Sequence, residues 1–204
     1  DEMKRDQALA LEQAARIDDR PTMADVALAR ASYALDTGDF EEVIVQAREA
    51  LRLSDERTGH VQVTRARMSL GAALAMSGQI EEGLAVLEQV RSEAIARGVR
   101  HLEVTVSLTI GRMRVQTGSA RQALPIIEGG LALARQLRLP DREMHGVLNL
   151  GEAHLALGEF DLAQTQIELA ATMAREQGHT QLEPVLAETL ADIDRRRAEA
   201  PPEA

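Results

Sequence analysis

Four glycines, Gly38, Gly78, Gly118 and Gly158, stand 40 residues apart, and this beat limits what the chain can fold into more than any other feature. They occur in Thr37-Gly38-Asp39-Phe40, Ser77-Gly78-Gln79-Ile80, Thr117-Gly118-Ser119-Ala120 and Leu157-Gly158-Glu159-Phe160. Halfway between them lie further breakers, Gly59, Gly98, Pro140 and Gly178, with Pro21 ahead of them all. A breaker about every 20 residues, between apolar runs of helical period, predicts stacked antiparallel helical hairpins. The expected fold is therefore all-α, an αα superhelix (solenoid) of about ten helices.

The spacing predicts a half repeat over 2–17 and hairpins over 21–57, 60–97, 99–138 and 141–177. A capping helix over 180–198 completes a single array spanning 1–200, and a disordered tail is expected over 199–204. Within the hairpins the helices are expected at 21–37 and 40–57, 60–77 and 79–97, 99–117 and 119–138, and 141–157 and 160–177. Asp39 with Glu42, Ser119 with Gln122, and Thr180 with Glu183 have the spacing of a capping box. The glycines supply the left-handed residue that ends the preceding helix. Pro125 falls about two turns inside a helix, where a local bend near residue 121 is expected rather than a break.

Composition narrows the function classes. No run approaches 18 apolar residues, so no membrane helix is expected. There is no cysteine and hence no disulfide framework, and with no apolar signal region behind Asp1 the expected location is cytoplasmic. A formal charge of −10 argues against nucleic acid, which needs a basic stripe to neutralise phosphates. Arg195-Arg196-Arg197 is read as a solvated last helical turn, where cations favour the helix dipole. With one Tyr and two Phe, the core must rely on close helix approach between Ala, Gly and Leu positions.

Aligned on the turn glycines, the repeats share side chains as well as spacing. Seven residues before the turn come Ala31, Gly71, Gly111 and Gly151, preceded by Arg30, Leu70, Ile110 and Leu150. Five residues after it come Val43, Gly83, Ala123 and Ala163, then Ala47, Leu87, Ile127 and Ile167, then Ala50, Val90, Gly130 and Ala170. Small residues facing one wedged larger side chain give two antiparallel helices a common core.

This pattern resembles the tetratricopeptide repeat, with Leu-Gly in the first helix and Ala, a bulky residue and Ala in the second. Leu70-Gly71, Ile110-Gly111 and Leu150-Gly151 carry the first half, and Ala163, Ile167 and Ala170 the second. The resemblance covers about residues 21–200 and is to the long-repeat branch found in bacterial regulators, since the usual period is 34 residues. The chain departs from the family at Arg30-Ala31 and at the aromatic positions, which hold Ala27, Arg67, Ser107 and Val147, or Ala34, Leu74, Arg114 and His154. Residues 2–17 resemble the second helix of a hairpin, so the chain is expected to be a piece of a longer protein.

The resemblance implies a groove lined by the first helix of each hairpin. Its residues would be Leu28 and Ser32, Arg65 and Met68, Leu108 and Arg112, and His145, Leu148, Asn149 and Glu152. Leu28, Met68, Leu108 and Leu148 would form an apolar row, either anchoring a ligand or packing within the stack. Asp25 would face Arg65, and Arg112 would face Glu152. The clamp that co-chaperones of this family use for acidic C-termini is not expected. Its positions hold Leu28, Ser32, Ser69, Thr105 and Thr109.

Catalysis and cofactors are not expected. The five histidines show no His-x-x-x-His pair, and no phosphate loop or nucleophile motif occurs. The expected function is a non-enzymatic scaffold binding a protein or peptide in the groove, as a regulatory part of a larger bacterial protein. The alternatives are an effector- or peptide-sensing domain of a signalling or transcription regulator, and a module that self-associates into a homodimer.

Overall fold

Each turn glycine ends its helix by adopting a conformation that a side chain resists. Gly118 sits at φ 82°, letting Ser119 N–H reach back to Arg114 O at 2.7 Å and Gly118 N–H to Val115 O at 3.1 Å. These two bonds satisfy carbonyls that the last helical turn leaves open. The computed structural model describes residues 17–54 and 60–199, and among these it is all-α, without strands.

The helices are α1 (Arg20–Asp36), α2 (Phe40–Leu53), α3 (His60–Met76), α4 (Ile80–Ala96) and α5 (Arg100–Gln116). They continue as α6 (Ala120–Gln136), α7 (Pro140–Ala156), α8 (Phe160–Glu176) and α9 (Glu183–Glu199), with one 3-10 turn at Thr180–Leu182 before α9. The expected helix over 2–17, Gly59 and nearly all of the tail lie outside the described residues.

Three local expectations change. Helix α2 stops at Leu53 instead of 57, because Ser54 turns extended at ψ 139° and its hydroxyl donates to Ala50 O at 2.8 Å. The break before α7 is made by Arg138, a non-glycine residue at φ 54°, and not by Pro140, which simply begins α7. The bonds around Arg138 repeat those of Gly118: Arg138 N–H to Arg135 O at 3.1 Å and Leu139 N–H to Ala134 O at 3.0 Å. Of the three capping boxes only Asp39 caps, accepting from Glu42 N–H at 3.1 Å. Ser119 makes no side-chain cap bond, and Thr180 opens the 3-10 turn without one. Helix α6 continues through Pro125, which is exposed.

The chain divides into two compact units, Asp1–Ser92 and Glu93–Ala204, the division falling inside α4. In the first unit α1 packs on α2, α2 on α3, and α1 also on α3. Its buried side chains include Ala31, Ala34, Val43, Ile44 and Leu74, closed by Phe40 and Leu70. In the second unit each helix from α5 to α9 packs on the next, and α5 also packs on α7 without a comparable contact between α6 and α8. Successive hairpins stacked in this way are the solenoid arrangement within each unit. The core of the second unit centres on Val104, Ile127, Leu131, Met144, Val147 and Ile167.

The small-against-large register explains the close approach. A Cβ built on Gly111 would overlap Ile127 Cγ1, and one on Gly151 would lie 2.5 Å from Ile167 Cδ1. On Gly71 it would lie 2.7 Å from Leu87 Cγ and 2.9 Å from Gly83 O. Leu87, Ile127 and Ile167 are fully buried in the space these glycines vacate. Burial of such a side chain contributes about 1.5–3 kcal/mol, so the Leu-Gly and bulky positions are one device.

Candidate functional site

The direct packing of α5 on α7 leaves an open pocket of about 250 Å³ on the face these two helices share. Helix α5 lines it with Thr105, Leu108, Thr109 and Arg112, and α7 with Arg142, His145 and Asn149. Spacings of three and four residues place each set on one helical face. Four residues expected from the groove positions, Leu108, Arg112, His145 and Asn149, therefore meet in one place.

Their roles differ. Leu108 is the floor, only 4% exposed, with Gly130 and Gly146 giving it room. A Cβ on Gly130 would stand 3.1 Å from Leu108 Cδ2. Asn149, also buried, donates from Nδ2 to Leu108 O at 3.0 Å and so ties α7 to α5 at the base of the pocket. The Thr105 and Thr109 hydroxyls donate to the carbonyls one turn back, His101 O at 3.0 Å and Thr105 O at 2.9 Å.

The charged groups above this floor are cationic. Arg112 and Arg142 are exposed, and among the described residues no carboxylate lies within 4.0 Å of either guanidinium. The carboxylates near Arg142 are engaged elsewhere: Asp141 contacts His179 Nε2 at 3.2 Å, and Glu143 accepts from Arg135 Nε at 2.8 Å. His145 is half-buried; burial, then Arg142, Arg112 and His179, hold its imidazole below its ordinary range against the opposing pull of Asp141. One turn beyond Asn149, burial pushes the Glu152 carboxyl up, and the Arg112 charge only partly offsets this.

The remaining expected positions are less concentrated. Leu148 is half-buried and packs at the edge of the core, and Glu152 is close enough to feel Arg112 without pairing with it. In the first unit Leu28 is 3% exposed and packs with Ala27, Ala50 and Ala66, while Met68 is half-buried. Ser32 and Arg65 are exposed. Asp25 does not face Arg65: its Oδ1 accepts from Gln62 Nε2 at 3.3 Å, one turn earlier on α3. The apolar row is therefore no open stripe, since Leu28 and Leu108 belong to the packing. The open surface of the second unit's pocket is polar.

Arg142 was not among the expected groove residues. Its signal was available: it lies three residues before His145, on the same side of a helix opened by Pro140. A wider cleft of about 490 Å³ between α8 and α9, lined by Glu168, Thr172, Arg175, Glu183 and Leu190, holds none of the expected residues. No group of three potential metal ligands occurs among the described residues, and no described helix is long and apolar enough to cross a membrane. No protein-family model matches the chain, and no curated protein shows detectable sequence similarity to it.

Proposed function

We propose that the chain is a tetratricopeptide-type, non-enzymatic scaffold that binds a protein or peptide segment on the face that α5 and α7, first helices of successive hairpins in the second unit, share. The observation that carries this reading is the pocket between α5 and α7, where Leu108 and Asn149 form the base and Arg112 and His145 line the open side. First helices packing directly on one another leave such a recess, and short segments dock in recesses that combine a fixed floor with polar edges. On this reading the module is a regulatory part of a larger bacterial protein, as the resemblance to the long-repeat branch suggests, and works in the cytoplasm.

The test is selection of binding peptides from a displayed random library, followed by affinity measurement on the wild type and on Thr109→Tyr, whose ring fills the recess. The reading expects selected peptides to bind the wild type saturably and to lose about tenfold or more on the variant. Circular dichroism on the variant checks that the helices are retained. Peptides that bind the folded variant as tightly as the wild type would place recognition elsewhere and overturn it.

A further inference from the structure

We infer that the pocket between α5 and α7 is an oxyanion subsite, holding a carboxylate or phosphate group of the ligand between Arg112 and Arg142 with His145 beside them. This rests on the scaffold reading of the same face and adds the chemistry of what enters it.

The charge balance supports it. The chain as a whole is acidic, at −10, yet this recess concentrates two guanidinium groups and an imidazole. Elsewhere in the unit some arginines form short ion pairs, Arg135 with Glu143 at 2.8 Å and Arg197 with Asp161 at 2.9 Å. Others, such as Arg121 and Arg138, form none among the described residues, and what sets Arg112 and Arg142 apart is that they line one recess. Arg112 and Arg142 have no such partner within 4.0 Å among the described residues. Glu152 is the carboxyl nearest in influence to Arg112, and it leaves the guanidinium donors unpaired. An arginine offers a planar set of N–H donors matched to a two-oxygen acceptor, and two arginines from different helices clamp an oxyanion from both sides. The His145 ring nitrogens carry no hydrogen bond among the described residues and stand free to donate a third.

The size of the recess agrees with one anionic group and not a large ligand. A recess of about 250 Å³ is smaller than the ~300–1,000 Å³ that encloses a drug-sized molecule. Its floor is the buried Leu108, held in place by the Asn149 bond to Leu108 O. This is not the co-chaperone clamp considered from the sequence. Those positions hold Thr105 and Thr109 here, and the cations come from Arg112, one turn further along α5, and from Arg142 on α7.

The experiment is a 1H–15N NMR titration of the full chain with inorganic phosphate and, separately, with acetate, at constant ionic strength set with chloride. The expected result is saturable shifts confined to amides around Thr105, Thr109, Arg112, Arg142, His145 and Asn149. Arg112→Gln with Arg142→Gln should weaken them by about tenfold or more, because charge-assisted hydrogen bonds to both arms are lost. Saturation by phosphate alone assigns a phosphorylated ligand, by acetate alone a carboxylate ligand, and by both a general oxyanion site. Linear shifts without saturation, shifts spread over arginines elsewhere, or equal affinity in the folded double variant would overturn the inference. Peptides that bind the double variant as tightly as the wild type would also sink it while leaving the scaffold reading standing. Anion saturation without any selected peptide would do the reverse.

Discussion

Alanine substitution at three glycines of the second unit should give three different outcomes, and the difference follows from what each new methyl meets. At Gly129, in the middle of α6, nothing lies within 4 Å, so Gly129→Ala gains helix propensity and should stabilise by about 0.5–1 kcal/mol. At Gly118 the space is also open, but φ is 82°, so the methyl meets its own backbone and the substitution should cost about 1–2 kcal/mol. At Gly111 the Cβ would overlap Ile127 Cγ1, with Cδ1 at 3.1 Å and Cβ at 3.5 Å, on a side chain with no exposed surface. Overpacking of this kind costs roughly 1–3 kcal/mol, and the propensity gain offsets about 0.5–1 of it. A net loss of about 1–2 kcal/mol is expected. Urea unfolding followed by circular dichroism measures all three. A double-mutant cycle with Ile127→Ala isolates the clash, because that change costs about 2–5 kcal/mol alone but removes the atom in the way. The pair should be less damaging than the sum by about 1–2 kcal/mol. If Gly111→Ala stabilised as much as Gly129→Ala, or showed no coupling to Ile127, the account of the repeat register would be wrong.

Three further outcomes are expected. Arg138→Gly should raise stability by about 1 kcal/mol, because Arg138 holds φ 54° while exposed; a thermal midpoint that falls would contradict this. Asp39→Ala should cost about 1 kcal/mol through the lost bond to Glu42 N–H, whereas Ser119→Ala should cost much less, as no cap bond is there to lose; equal effects in thermal unfolding would refute the cap assignment. The His145 imidazole is held low by its burial and by Arg142, Arg112 and His179, against Asp141, with Glu152 further along the same helix. The unfolded chain then takes up the proton first, so this contribution is present above the ordinary value of 6.5 and is lost as pH falls through the lower folded value. Between about pH 8 and pH 5.5 the wild type should lose more stability than His145→Gln, and parallel curves would show that His145 contributes nothing to it.

Much of the architecture was legible because it depends on backbone chemistry that the sequence spells out. A glycine that takes positive φ without strain marks a helix end within a residue or two, and a glycine seven residues earlier marks where Leu87, Ile127 or Ile167 must fit. Arg138 escaped because arginine carries no turn signal; the bonds from its own and the following N–H hold it left-handed in context. The early end of α2 escaped because Ser54 chooses between helix and local hydrogen bonding only once Ala50 O is in reach.

The site was half legible for a related reason. Positions on a first helix can be assigned to one face, but a face about 100° wide includes both floor and rim. Leu108 was grouped with Arg112, and only packing against Gly130 and Gly146 shows that one is buried and the other open. Side-chain pairing across helices has a tolerance of one turn, which is why Asp25 meets Gln62 and not Arg65. Arg142 became visible only when α7 was laid against α5.

The central claim is that ligands dock between α5 and α7. The most direct measurement is a crystal structure of the chain bound to a library-selected peptide. The account predicts peptide atoms within about 4 Å of Thr109, Arg112 and His145, an anionic group lying between the Arg112 and Arg142 guanidinium groups. A peptide seated instead on the outer surfaces of α6 and α8, or in the cleft between α8 and α9, would contradict it.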